Sequence, residues 1–181
     1  MPSQYKQKQY YKLRREWKEN KTEYNDLKFA FDKICIEFAH SITSFCDEHD
    51  LGDPFSKTVE SPQNVRGLSS SSKSFFRKIV ISTHPDKSLK NSKKKEKIYT
   101  QATAAKKAGN LQELYDVGRE LSISPDLDSI TLEDLDSLQH NINEIKNKIL
   151  KIKNSYAWVW FHSNSSKRNE IFLDFIDFHS K

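Results

Sequence analysis

Residues 10 to 45, YYKLRREWKENKTEYNDLKFAFDKICIEFAHSITSF, carry the apolar pattern that decides the fold. Large apolar side chains recur here in alternating steps of three and four residues, with one gap around Asn20 and Lys21. They are Tyr10, Leu13, Trp17, Tyr24, Leu27, Phe31, Ile34, Phe38, Ile42 and Phe45. This spacing lines one face of a long helix with a heptad repeat, as in coiled coils.

The apolar face widens toward the end of this helix. Five further residues join it, namely Phe29, Ala30, Cys35, Ile36 and Ala39. We therefore expect residues 27 to 46 to be buried more deeply than the first half of the helix. Gly52 is expected to cap the helix end and Pro54 to stop it, because proline cannot continue the hydrogen-bond ladder.

A second heptad repeat follows residue 131. Its apolar residues again step by three and four, at Leu132, Leu135, Leu138, Ile142, Ile145, Ile149 and Ile152. Ser129 or Thr131 is the expected N-cap, and Glu133 and Asp134 favour the positive end of the helix dipole. The stretch 156–178, rich in aromatic residues, is predicted to fold back as one final helix.

The segment between the two repeats has the composition of a linker followed by short helices. Residues 51 to 70 contain proline, glycine and serine and are predicted to be a linker. A helix is expected from about Ser71 to Thr83, where Pro85 ends it. A second helix is expected through residues 101 to 108, and a turn at Gly109-Asn110 precedes a short amphipathic stretch.

These patterns predict an all-α fold. Charged residues make up 30% of the chain against 35% hydrophobic, with only 4 glycines and 5 prolines, which suits long solvated helices. We expect long antiparallel coiled-coil-like helices with an inserted small helical hairpin and a C-terminal helix. The predicted segments are a heptad helix at 1–50, a linker at 51–70, a small module at 71–125, and a second heptad helix with the C-terminal helix at 126–181.

The net charge and the cysteine content indicate the class of partner and the cellular compartment. The net charge of +5 is modest for a dedicated nucleic-acid binder. Cys35 and Cys46 are too far apart along one helix to form a disulfide, so we expect buried thiols in a reducing compartment. We expect no signal peptide and no membrane span, and an intracellular location, cytoplasmic or nuclear. A composition rich in Lys, Asn, Ile and Ser and poor in Gly suits an AT-rich genome, such as that of a large DNA virus, which would act in a host cell, or of a protist parasite.

The stretch from Lys73 to Lys87, KSFFRKIVISTHPDK, carries the motif with functional content. It resembles the DnaJ-type J-domain, whose second helix is basic and ends directly before a His-Pro-Asp tripeptide. Phe76 stands at the family's aromatic position, Arg77 and Lys78 match its basic pair, and Ile79 and Ile81 occupy its apolar positions. The resemblance covers roughly residues 71 to 120.

The resemblance implies a binding role and no enzymatic activity of the chain's own. In J-domains the tripeptide loop and the basic face of the second helix contact a DnaK-type heat-shock ATPase and promote its ATP hydrolysis. The implied chaperone-binding residues are His84, Pro85, Asp86 and Lys87 in the loop and Lys73, Arg77 and Lys78 on the helix. Pro85 also stiffens this loop, which lowers the entropy lost on binding. No cofactor is expected.

Competing interpretations of this region stay open. A His-Pro-Asp-Lys sequence can also be an ordinary helix-ending loop, in which proline stops one helix and aspartate caps the next. The first helix of the J-domain is not recognisable in residues 51 to 70, which favours a structural or interaction protein with a degenerate J-like fold. The basic segment from Lys87 to Lys97, with Lys93, Lys94 and Lys95, could bind nucleic-acid phosphates, although a solvated charged loop is the more usual explanation.

The remaining features favour structural roles. The aromatic residues between 156 and 178 fit core packing better than a partner groove. The other histidines, His40, His49, His140, His162 and His179, lack the spacing of a zinc site. The heptad repeats could pair within one chain or in a homodimer, and the helical scaffold could hold a second protein partner.

Overall fold

The computed structural model describes residues 3–52, 54–55, 70–83, 92–124 and 126–180, and all regular structure in these residues is helical. The predicted all-α fold is confirmed. The helices are α1 (Ser3–Glu48), α2 (Ser70–Thr83), α3 (Ser92–Lys107), α4 (Leu111–Glu120), a 3-10 turn (Leu127–Ser129), α5 (Leu132–Lys153), α6 (Tyr156–Phe161) and α7 (Ser165–Ser180).

Helix α1 buries the predicted heptad positions at both of its ends. Tyr10, Leu13 and Trp17 are buried near its beginning, and Ile34, Phe38, Ile42 and Phe45 near its end. The predicted widening of this face is wrong at two positions: Phe29 and Ile36 are 67% and 63% exposed. Both point away from the packed face, because each lies two residues from the nearest heptad positions, about 200° around the helix. In the second repeat, Leu132 is likewise exposed while the six positions after it are buried.

Asp50, and not Gly52, ends α1. Asp50 has a φ of 53°, in the left-handed region that terminates helices, and the Leu51 N–H donates to the Cys46 carbonyl at 2.9 Å. The predicted glycine cap is therefore wrong. Aspartate tolerates this conformation better than most residues because its short polar side chain can hydrogen-bond locally.

The chain forms two compact units, one from Met1–Asn20 and Gln63–Glu144 and one from Lys21–Pro62 and Ile145–Lys181. Helices α1 and α5 each contribute residues to both units. The boundaries predicted at residues 50, 70 and 125 stay a prediction.

In the first unit, α2 and α3 pack against each other. The Nζ atom of Lys106, near the end of α3, lies 4.5 Å from the ring centroid of Phe76, in the middle of α2. Ile79 of α2 and Ile98 and Ala102 of α3 are buried. The connection between the helices is only eight residues long in the sequence, which suits antiparallel neighbours.

The turn after α3 follows the sequence prediction. Gly109 has a φ of 63°, and the Asn110 side chain accepts a hydrogen bond from the Glu113 N–H at the start of α4. The beginning of α3 departs from the prediction. Residues 92 to 97 form the first turns of the helix, so the expectation of a charged loop there is wrong.

The core of the second unit is aromatic. Phe38 of α1 packs against Trp160, Phe172 and Phe175, with ring centroids 5.3 to 5.6 Å apart. The predicted single C-terminal helix is two helices, α6 and α7. The Asn164 side chain caps α7 by accepting from the Lys167 N–H at 3.1 Å, which starts a new helix where a continuous one was expected.

Each unit contains one side-chain contact between α1 and the region of α5. Within the first unit, Gln7 near the beginning of α1 donates to Asp128, just before α5, at 2.9 Å. Within the second unit, Lys153 at the end of α5 lies 2.7 Å from Glu23 of α1. The predicted antiparallel course of the two helices stays a prediction.

Candidate functional site

The predicted loop follows α2 directly in the sequence. Helix α2 ends at Thr83 and α3 begins at Ser92. The loop residues lie outside the described residues; they are His84, Pro85, Asp86 and Lys87. The described part of the site consists of the two helices that flank this loop. The last turn of α2 is closed by the Ser82 and Thr83 hydroxyls, which each donate to the Ile79 carbonyl at 2.8 Å.

Helix α2 has a buried face and an exposed basic face. Its buried residues recur in steps of three and four at Ser72, Phe75, Ile79 and Thr83. The three predicted electrostatic residues, Lys73, Arg77 and Lys78, are all exposed. None of the three forms an ion pair with a residue that the structure describes.

The two predicted apolar positions of α2 differ in environment. Ile79 is fully buried, whereas Ile81 is 60% exposed. Ile81 lies two residues from Ile79, on the side of the helix that carries Arg77 and Lys78. An apolar side chain thus lies beside the basic residues on the exposed face.

Aromatic packing fixes the beginning of α2 against α4. The Phe75 ring lies edge-on to Tyr115 with centroids 4.9 Å apart. A Cβ atom built on Gly118 would lie 2.5 Å from Phe75 Cζ, so glycine is required for this close approach. Tyr115 also lies 6.0 Å from Tyr10 of α1, which links three helices in one aromatic cluster.

A buried carboxylate fixes α2 against the start of α5. Asp134 is 2% exposed and accepts a hydrogen bond from the Ser72 hydroxyl at 2.8 Å. Its other oxygen accepts from the Thr131 N–H and hydroxyl, while the Thr131 hydroxyl accepts from the Asp134 N–H at 3.1 Å. Thr131 is therefore the N-cap, as the sequence suggested, in a reciprocal arrangement like a capping box.

Burial changes the titration of the tyrosines in this cluster. Desolvation raises the pKa of Tyr10 to about 12. Desolvation, and secondarily the charge of nearby Asp134, also raises the pKa of Tyr115. Both hydroxyls are therefore held in the neutral form more strongly than in the unfolded chain.

The predicted phosphate-binding lysines lie in the first turns of α3. Lys93 and Lys94 are exposed and Lys95 is half-buried. Helix α3 has no acidic residue in its first turn, where a negative side chain would favour the helix dipole. Together α2 and α3 carry nine basic residues and one acidic residue, Glu96.

Other candidate sites are few in the part of the chain that the structure describes. No cluster of three or more His, Cys, Asp or Glu side chains there could hold a metal ion. The helices of that part also lack the combined length and apolar character needed to cross a bilayer. An apolar cleft of about 300 Å³ in the second unit is lined by Cys35, Phe38, Phe55, Tyr156 and Phe175, among others.

Comparison of the chain with protein-family models, with curated proteins and with solved structures finds no match.

Proposed function

We propose that the chain is a J-domain-like co-chaperone or recruitment adaptor. In this proposal it binds a DnaK-type heat-shock ATPase through the loop that contains His84, Pro85 and Asp86, and promotes the partner's ATP hydrolysis. Lys73, Arg77 and Lys78 supply the electrostatic face, and the helical scaffold selects the location or the client.

One observation carries the proposal. The His-Pro-Asp sequence stands between two helices that pack against each other, and the helix before it has an exposed basic face with no ion pairs among the described residues. The family resemblance predicts this combination. Phe75 and Ser72 hold the opposite face of the same helix, so the basic face projects from a fixed base.

The energetics favour a transient complex. Exposed ion pairs contribute about 0.2 to 1 kcal/mol each, so three basic side chains steer and orient an acidic partner without tight binding. Such a complex weakens as salt rises, because exposed charges are screened. Ile81 adds an apolar contact on that face.

Single-turnover ATP hydrolysis by a purified DnaK-type ATPase tests the proposal. The parent protein should accelerate hydrolysis, and the His84→Gln variant should lose that acceleration. His40→Gln makes the same substitution at an exposed histidine of α1 and should behave like the parent. Failure of the folded parent to accelerate hydrolysis would contradict the proposal and favour a structural or interaction protein with a degenerate J-like fold.

Charge variants test the electrostatic face separately. Changing Arg77 and Lys78 to Gln should raise the concentration of protein needed for half-maximal stimulation several-fold. The maximal rate should change less, because the loop residues stay in place. Changing Lys148 and Lys151 to Gln removes the same charge from exposed positions on α5 and should have no effect.

A further inference from the structure

Helix α3 presents a basic stripe that the proposed chaperone contact does not use. Lys93, Lys97, Thr100, Ala104 and Lys107 follow each other in steps of four, three, four and three residues. This spacing places them on one side of the helix, and all five are exposed. The stripe has neither an acidic side chain nor a large apolar one.

No acidic side chain in the described part of the chain pairs with the lysines of this stripe. Lys93, Lys97 and Lys107 form no ion pair with any residue that the structure describes. Lys93 and Lys97 are also four residues apart, a spacing at which like charges destabilise a helix. Their position in the first turns opposes the helix dipole as well. Local stability therefore disfavours Lys93 and Lys97 in these first turns, and an external anion would compensate their charges.

The length of the stripe fits an extended polyanion better than a single phosphate group. With a rise of 1.5 Å per residue, Lys93 and Lys107 are about 21 Å apart along the axis. A DNA duplex carries on the order of 12 phosphate charges over that length. An isolated phosphate group would meet only one or two of these lysines at a time.

A membrane surface fits the stripe less well. Helices that bind bilayers insert an apolar face between the headgroups. The apolar face of α3 is already used inside the protein, because Ile98, Ala102 and Ala105 are buried. Only the polar side of α3 is available, and contacts to nucleic-acid phosphates need only that side.

We propose that the outer stripe of α3 binds the phosphate backbone of nucleic acid without sequence preference. Lys93, Lys97 and Lys107 contact phosphates, and Lys94 and the basic residues of α2 add to the surrounding field. This proposal does not depend on the chaperone proposal, because stimulation of an ATPase and binding of a polyanion can each be present without the other.

Fluorescence anisotropy with the full chain tests the stripe. The probes are a labelled DNA duplex, an RNA duplex and a single strand of equal length, each titrated from 50 to 200 mM salt. We expect binding that weakens steeply with salt. The Lys93→Gln, Lys97→Gln, Lys107→Gln triple variant should bind duplex more weakly, on the order of 10- to 100-fold, and its logarithmic salt slope should fall by roughly 0.9 for each lost contact.

Two matched variants make the result specific. Lys148→Gln, Lys151→Gln and Lys167→Gln remove three exposed charges from α5 and α7, and this triple variant should bind like the parent. Glu96→Gln removes the one acidic residue of α3 and should tighten binding. Neutralising Lys93 and Lys97 also relieves repulsion within α3, so unfolding of that helix would not explain a loss of binding.

Three outcomes would overturn the proposal. The first is a parent chain that does not bind any of the three probes at 50 mM salt. The second is an equal loss of affinity in the two triple variants, which would indicate a response to net charge alone. The third is tighter binding to polyglutamate or to anionic vesicles than to nucleic acid, which would assign the stripe to another class of partner.

Discussion

At the scale of single residues, Gly118 makes the sharpest prediction. A Cβ atom at this position would lie 2.5 and 2.7 Å from two ring atoms of Phe75, and that ring is confined by Tyr115. Gly118→Ala should gain about 1 kcal/mol of helix propensity. Overpacking costs about 1 to 3 kcal/mol, so the free energy of unfolding should fall.

Urea unfolding measures this change, and Gly52 provides the control. A Cβ atom on Gly52 would meet nothing within 4 Å, so Gly52→Ala should leave the unfolding midpoint unchanged. A Gly118→Ala protein as stable as the parent would mean that the Phe75 ring can move aside, and the described packing would then not hold.

The buried tyrosines predict a loss of stability in alkaline solution. The pKa of Tyr10 is about 12 in the folded chain and 10.0 in the reference state, so the folded state holds the proton more tightly. Stability from this group is complete below pH 10 and is lost as the pH rises toward 12. Over this range, the free energy of unfolding of the Tyr10→Phe variant should therefore fall less steeply than that of the parent. The difference in slope should be up to about 1.4 kcal/mol per pH unit.

Urea unfolding of both proteins at pH 8, 10 and 11 gives the comparison. Tyr5→Phe alters an exposed tyrosine near the start of α1 and should unfold in parallel with the parent. Identical pH dependence of the Tyr10→Phe variant and the parent would contradict a buried, neutral Tyr10.

At the scale of elements, the heptad spacing predicted helices α1 and α5 and most of their buried positions. Spacing alone could not exclude Phe29 and Ile36 from the packed face, because apolar character does not show whether a neighbouring helix covers a side chain. The break between α6 and α7 depends on the Asn164 cap, a short polar signal within a run of aromatic residues. The cap of α1 was missed because Asp50 takes a conformation for which Gly52 was the obvious candidate.

Helix α1 should depend on Phe38 far more than on Phe29. Phe38 contacts three aromatic rings in the second unit, whereas Phe29 is 67% exposed. Phe38→Ala should cost about 3 to 5 kcal/mol of unfolding free energy, because a large buried side chain leaves a cavity. Phe29→Ala makes the same substitution on the same helix and should change stability by no more than about 0.5 kcal/mol. Urea unfolding distinguishes the two, and equal effects would contradict the described core.

At the scale of the whole molecule, two compact units share two continuous helices. Because α1 and α5 supply buried residues to both units, we expect the units to unfold together. Phe38→Ala should then reduce the protection of slowly exchanging amides at Phe172 of α7 and also at Ile79 of α2. Hydrogen exchange followed by NMR measures both sites. Loss of protection at Phe172 with unchanged protection at Ile79 would show independent unfolding.

Only part of the candidate site could be predicted from the sequence. His84, Pro85 and Asp86 are adjacent in the sequence and form a motif, so sequence alone was sufficient to predict them. The residues that hold α2 in place could not be found in this way, because Ser72 and Asp134 lie 62 positions apart. The same is true of Tyr10 and Gln112, whose side chains meet across 102 positions. Sequence periodicity identifies which face of a helix is buried but not which distant residue it meets.

The different environments of the two cysteines offer a route to chemical labelling. Cys46 is buried, whereas Cys35 is half-buried and lines the apolar cleft of the second unit. A maleimide dye should therefore attach to Cys35 first. Burial also raises the pKa of the Cys35 thiol, so mildly alkaline buffer will speed the reaction. Without any engineered residue, the native chain thus carries a preferred attachment point for a fluorophore beside its cleft.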